Sequence, residues 1–174
     1  MSNFVINPYT SPPVTPKTWS DVGLTNCTLS DSDQTATATS ATNYSCRANS
    51  TDISDSFSWT VGGGSQDNFR FALVTDAQRT SGSEPFGASD TSFMVLLGGL
   101  SGATDAWLFT YTDGASDVLI CSACIDMNKT MKLERVGSTW TFYNDGVAKA
   151  TYSSSSDFYF QCLVQNTGMF GTFA

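Results

Sequence analysis

Met131-Lys-Leu-Glu-Arg-Val-Gly-Ser-Thr-Trp-Thr-Phe-Tyr-Asn-Asp-Gly146 is the most informative stretch of this 174-residue chain. Its two halves alternate apolar and polar residues, the period of a strand with one buried face, and they flank Gly137-Ser138. Two residues between strands, the first a glycine, predict a β-hairpin with a type II′ turn. Glycine takes the positive φ that this turn needs at its first central position. Pairing Val136 with Thr139 sets the register. Met131, Leu133, Arg135, Trp140, Phe142 and Asn144 then share one face, and Lys132, Glu134, Val136, Thr139, Thr141 and Tyr143 share the other. Asn144-Asp-Gly146 is a second tight turn, leading into Val147-Ala-Lys-Ala-Thr-Tyr152.

Outward from the hairpin, strand patterns follow one another from about residue 21. Ser56-Phe-Ser-Trp-Thr-Val61 alternates strictly, sending Phe57, Trp59 and Val61 inward. Asn68-Phe-Arg-Phe-Ala-Leu-Val-Thr75 puts Phe69, Phe71 and Leu73 on the core side and Arg70 opposite. Gln34–Thr39, Phe93–Leu97, Ala106–Thr112, Asp117–Cys121 and Asp157–Val164 complete the series, with residues 76–92 read as a polar loop. No helical stretch of ten residues emerges. Frequent strands with turn signals between them predict an all-β antiparallel sandwich.

Composition agrees. Asp supplies 14 of the 16 acids, and 24 Ser with 23 Thr outnumber all the charged residues together. These residues favour turns and strand surfaces, whereas Glu, Lys, Arg and Leu, the helix formers, are scarce. An apolar fraction of 40% with 13% aromatics supports a packed core. Several functions are excluded. With no histidine there is no Ser-His-Asp or Cys-His nucleophile and no histidine-ligated zinc. A net charge of −8 with eight scattered basic residues lacks the footprint of a nucleic-acid binder. No apolar run approaches the ~20 residues that span a bilayer.

Residues 1–20 form a Pro-rich N-terminal arm, carrying four of the five prolines, and residues 21–174 a single sandwich domain. Phe4, Ile6, Tyr9 and Trp19 give the arm enough apolar surface for assembly contacts. Two placements stay open, along its own domain or docked on a partner. Met1–Pro8 lacks the plan of a secretory signal, so either action inside the cell that makes the chain or exit by another route, such as incorporation into a virus particle, is expected. Of five cysteines, Cys121 and Cys124 form the one close pair, and a second pair would be needed for zinc. Reduced, buried thiols with one incidental disulfide are expected.

The hairpin resembles the concanavalin A-like lectin/glucanase superfamily, laminin-G-like modules included. Their run of strand, Arg-x-Gly-Ser turn, Trp-x-Phe-Tyr strand and Asn-x-Gly turn stands here as Met131–Gly146, followed by Val147-Ala-Lys-Ala150. Ser56–Val61 and Phe69–Val74 resemble the preceding strands. The resemblance implies a jelly roll of two curved antiparallel sheets with its chain ends close together. It also implies glycosidase, lectin or adhesion activity, among which a fold does not choose. Glucanases of this fold carry Glu-x-Asp-x-x-Glu on one strand. With glutamate only at 84 and 134 that motif is absent, so no catalytic residue is assigned and a non-enzymatic protein is expected.

A sugar site needs an aromatic plate and polar groups for hydroxyls. Arg70, Trp107, Tyr111, Tyr143, Asn144 and Asp145 are the candidates, with Tyr143 favoured because it leaves the apolar face. No cofactor is required. Calcium is the one metal to consider, at Asp113 and Asp117 in Asp113-Gly-Ala-Ser-Asp117. The expected function is a non-catalytic virion surface or structural protein that binds host carbohydrate for attachment. In that reading residues 1–20 join other virion or appendage proteins in an oligomeric assembly, without nucleic acid or membrane insertion. Two alternatives stay open: a capsid decoration or minor capsid protein with no ligand, and a cellular carbohydrate-binding module. The corresponding locations are the virion surface and the cytoplasm.

Overall fold

The computed structural model describes residues 16–40, 46–62, 69–81, 93–97, 106–110, 118–126, 128–164 and 170–174. Chain order is β1 (Trp19–Thr25), β2 (Cys27–Ser30), β3 (Thr35–Ala38), β4 (Cys46–Ser50), β5 (Ser56–Gly62), β6 (Phe69–Val74), α1 (Asp76–Ser81), β7 (Phe93–Leu97) and β8 (Ala106–Thr110). Then come β9 (Val118–Ile125), β10 (Met131–Val136), β11 (Thr139–Asn144), β12 (Val147–Ser153), β13 (Tyr159–Val164) and β14 (Phe170–Phe173). A five-stranded sheet runs β1-β4-β13-β6-β7 and a seven-stranded sheet β12-β11-β10-β5-β14-β3-β2, with β8-β9 as a two-stranded ribbon. Every strand pairing is antiparallel. The sequence expectation of an antiparallel jelly-roll sandwich holds.

The expected hairpin register also holds. Val136 faces Thr139, and Met131, Leu133, Trp140 and Phe142 are buried. Gly137 takes φ +64, as its turn requires. Aromatic side chains from both sheets fill the interior. Phe160 of the five-stranded sheet lies 4.4 Å from Trp59 and 5.4 Å from Phe57 of the other, by ring centroids. Phe71 meets Trp59 at 4.6 Å and Phe142 at 5.4 Å. Emptying such a position costs about 3–5 kcal/mol, because the rigid surroundings close only part of the cavity.

Trp19 corrects an expectation. It opens β1 and is 2% exposed, stacks on Phe173 at 4.1 Å, and donates its indole N–H to the Gly171 carbonyl. Its side chain is therefore part of the domain core and has no free surface for assembly. Strand order begins at residue 19, so residue 20 marks no structural break. The other arm residues, Phe4, Ile6 and Tyr9, lie outside the described residues.

A second difference falls at residues 76–81, a short helix where a loop was expected. Thr75-Asp-Ala-Gln78 is a capping box: the Gln78 amide donates to the Thr75 hydroxyl, and the Thr75 amide donates to the Gln78 side-chain oxygen. Arg79 then lies 3.9 Å over the Tyr159 ring and 2.6 Å from Asp76. Gly23, at φ +69, lets the helix seat against β1. A Cβ there would meet the Arg79 carbonyl oxygen.

Two further ties join elements. Cys27 of β2 and Cys46 of β4 are disulfide-bonded, linking the two sheets across 19 residues of sequence. In the chain-entropy treatment a loop of that length stabilises by about 3 kcal/mol. Arg135 reaches Asp55 and Asp157 at 2.5 and 2.6 Å and donates to the Ser156 carbonyl at 2.7 Å, so one guanidinium pins two linkers. Its hydrogen bond to the Asp157 carboxylate, and then that to Asp55, raise its pKa against the opposing effect of burial.

Cys162 is buried and reduced, as expected; the side chains of Cys121 and Cys124 lie outside the described part. Burial pushes the Cys162 thiol from its ordinary 9.0 up to about 12. Because the folded pKa is the higher one, this group stabilises the fold fully below pH 9 and progressively less as pH rises toward about 12. Urea unfolding at stepped alkaline pH is expected to show a stability loss across that window that Cys162→Ala reduces. Parallel curves for the two proteins would show that another group carries the dependence.

Candidate functional site

The seven-stranded sheet turns a polar face to solvent. Alternation fixes it: where Phe57 and Trp59 point inward on β5, Ser56, Ser58 and Thr60 point outward. Cross-strand partners continue the hydroxyl pattern. Ser30 faces Thr35, Thr35 faces Thr172, and Thr172 faces Thr60. On the other side of β5, Ser56 faces Glu134, Glu134 faces Thr141, and Thr141 faces Thr151. Lys132 and Tyr143 interrupt this field, lying in one row with Ser58.

Around them is an open cleft of about 350 Å³ lined by Ser58, Thr130, Lys132, Glu134, Tyr143 and Gly146. Lys132 Nζ lies 2.6 Å from Glu134 Oε1 and 5.8 Å from the centre of the Tyr143 ring. The tyrosine is half-buried, with the Lys132 ammonium over its ring. Aromatic plate, ammonium donor, carboxylate acceptor and two hydroxyls thus converge from three strands and two turns. Among the described residues the lining holds one carboxylate, Glu134.

Two turns shape the open end. Asp145 and Gly146 take φ +52 and +75, the paired left-handed geometry of a type I′ turn. The Asp145 amide donates to the Thr130 carbonyl at 2.9 Å, and Lys129 lies 3.6 Å from the Asp145 carboxylate. Asn144, expected as a sugar contact, is turned inward and hydrogen-bonded within the protein. It is 4% exposed, donates its amide to the Asp126 carbonyl at 3.0 Å and accepts from the Asp126 amide at 2.8 Å. Its position on the inward face of β11 explains this: a buried carboxamide must find partners, and the Asp126 backbone supplies both.

Of the expected sugar contacts among the described residues, Tyr143 lines the cleft. Asp145 flanks it as a turn residue. Arg70 lies on β6 of the other sheet, facing away from the core, so it is not brought to Tyr143. Tyr111, Asp113 and Asp117 lie outside the described residues, as does the side chain of Trp107 on β8. Among the described residues no cluster of three acids, cysteines or histidines could hold a metal. Ser58, Thr130, Lys132, Glu134 and Gly146 were not foreseen as site residues. Their signal was the hairpin register, which already set Lys132 opposite Tyr143 on the outward face.

No protein-family model matches the chain, and no curated protein matches it by sequence. Solved structures do match. The TRIM65 PSpry domain superposes with a TM-score of 0.64 at 12% identity, over 92% of this chain and 90% of that one. The SPRY domain of human HERC1 gives 0.57 at 10% identity, over 90% and 96%. The NEUZ (NHR) domain of Neuralized from Drosophila melanogaster gives 0.57 at 11% identity, over 95% of both chains. Identity this low carries the fold alone, and that fold is an antiparallel jelly-roll sandwich.

If Asn144 positions the turn rather than meeting ligand, Asn144→Ala should lose about 1–3 kcal/mol of stability in urea unfolding, because it strands two Asp126 backbone groups. Full stability combined with lost ligand binding would restore it to the binding set.

Proposed function

We propose that this jelly roll is a non-catalytic recognition domain that takes carbohydrate in the cleft around Tyr143. The observation that carries the reading is the convergence of the Tyr143 ring with Ser58, Lys132 and Glu134 on an otherwise hydroxylated sheet face. A sugar presents an apolar ring face, which stacks on an aromatic plate, and an edge of hydroxyls, which need a donor and an acceptor nearby. The cleft offers each of these. Among the described lining residues the carboxylate is Glu134, and it is engaged by Lys132.

Residues 1–18, which precede β1, are proposed as the means of attachment to a larger particle, a virion or appendage surface, where the domain would meet host glycans. The clustered prolines and aromatic residues of that segment support this, as does the Ser/Thr-rich strand composition, which keeps a surface polar without a mosaic of charges.

A glycan array probed with the purified protein tests the reading. Saturable binding is expected, weakened about tenfold or more by Tyr143→Ala, since the aromatic platform supplies a large share of sugar affinity. Binding unaffected by that change would move the site elsewhere. No binding at high protein density would favour a decoration protein without a ligand.

A further inference from the structure

Two cations at the cleft and its neighbouring turn are each paired with a carboxylate. Lys132 is matched by Glu134 at 2.6 Å, and Lys129, at the neighbouring turn, by Asp145 at 3.6 Å. Asp126, exposed beside that turn, has no such cation among the ion pairs of the described residues. Among the described residues lining the cleft the one ammonium is Lys132, already paired with Glu134, and an incoming anion would approach a molecule whose net charge is −8. To reach Lys132 it would have to displace Glu134 and then sit beside that carboxylate, a like-charge contact at close range.

Uncharged hydroxyls face no such barrier. Held together on β10, the Lys132 ammonium and the Glu134 carboxylate present a fixed donor next to a fixed acceptor. Two neighbouring hydroxyls of one sugar can bridge them, one accepting from Lys132 and the other donating to Glu134, while the ion pair stays intact. The Tyr143 ring, 5.8 Å from the ammonium, lies where the apolar side of the same sugar would rest.

Resting on the carbohydrate reading, we propose that the cleft selects uncharged sugars bearing adjacent hydroxyls, and that Glu134 is the residue that rejects acidic ones. Lys132 and Glu134 act as one recognition unit. Removing the carboxylate alone leaves an ammonium without its counter-charge, and the preference should then turn toward acidic sugars.

The test uses the full chain with paired probes: N-acetyllactosamine against its sialylated form, and cellopentaose against an oligoglucuronate of equal length. Affinities are measured calorimetrically for the wild type, Glu134→Gln and Lys132→Gln, with thermal unfolding confirming that each variant is folded. The expected wild-type result is binding to an uncharged probe, with its acidic partner weaker by about tenfold or more at low salt and the gap narrowing as salt screens it. Glu134→Gln should weaken the uncharged probe and strengthen the acidic one, whereas Lys132→Gln should weaken both. A wild type that prefers the acidic member of a pair, or a Glu134→Gln protein with unchanged preference, would overturn the inference while leaving the carbohydrate reading in place. Binding to neither member of either pair, and to nothing on the wider array, would overturn both.

Discussion

Contact between Phe160 on one sheet and Trp59, Phe57 and Phe173 on the other holds the sandwich together. Large rings can meet across the interior only if strands on both sheets keep strict two-residue alternation. That alternation determines the outside as firmly as the inside. Once Phe57, Trp59, Met131, Leu133, Trp140 and Phe142 are committed to the core, Ser58, Lys132, Glu134 and Tyr143 have no choice of face. The cleft is in this sense a by-product of the packing, placed by the rings beneath it and rigid because they are. A site on paired strands also loses less conformational freedom on binding than one built from loops.

Most described acids lie away from this face, Glu134 being paired on it with Lys132. Acids are concentrated at turns and linkers: Asp31 and Asp33 between β2 and β3, Asp55 and Asp157 around Arg135, and Asp145 in the β11–β12 turn. Hydroxyls occupy the strand face between them. Such a division keeps the chain soluble through its ends while leaving the sheet face close to neutral, the condition under which hydrogen bonding and stacking dominate recognition. The tied ends also limit motion near the cleft. Arg135 fixes the linkers before β5 and before β13, and Asn144 fixes the segment before β10.

Much of this is legible in the chain itself. The hairpin register, the inward set from Met131 to Phe142 and the core roles of Phe69, Phe71 and Leu73 follow from period-two alternation and a glycine at the turn. Other features resist that reading for physical reasons. β4, Cys46-Arg-Ala-Asn-Ser50, is buried at every residue yet reads as polar, because its burial comes from neighbouring strands. Asn49, for example, is satisfied there by Gln161 and the Val22 carbonyl. α1 is too short for a helical period to register, although Thr75 and Gln78 carry its capping signature. Trp19 looks like arm because prolines precede it, but its partner Phe173 lies at the far end of the sequence. At the site, Tyr143 is visible as an aromatic on a polar face. Asn144 misleads because turn chemistry and sugar chemistry use the same residue type. Glu134 passes unnoticed because its meaning depends on Lys132 lying 2.6 Å away.

The central claim is that recognition takes place on the solvent face of the seven-stranded sheet. Backbone amide shift mapping of isotope-labelled protein, titrated with an uncharged oligosaccharide drawn from the glycan array, tests it most directly. Recognition at this face predicts saturable shifts centred on Ser58, Lys132, Tyr143 and Gly146, with β4, β6 and α1 unmoved. Shifts centred on α1 and the outer side of the five-stranded sheet would contradict it, and would place the binding surface on the opposite side of the sandwich.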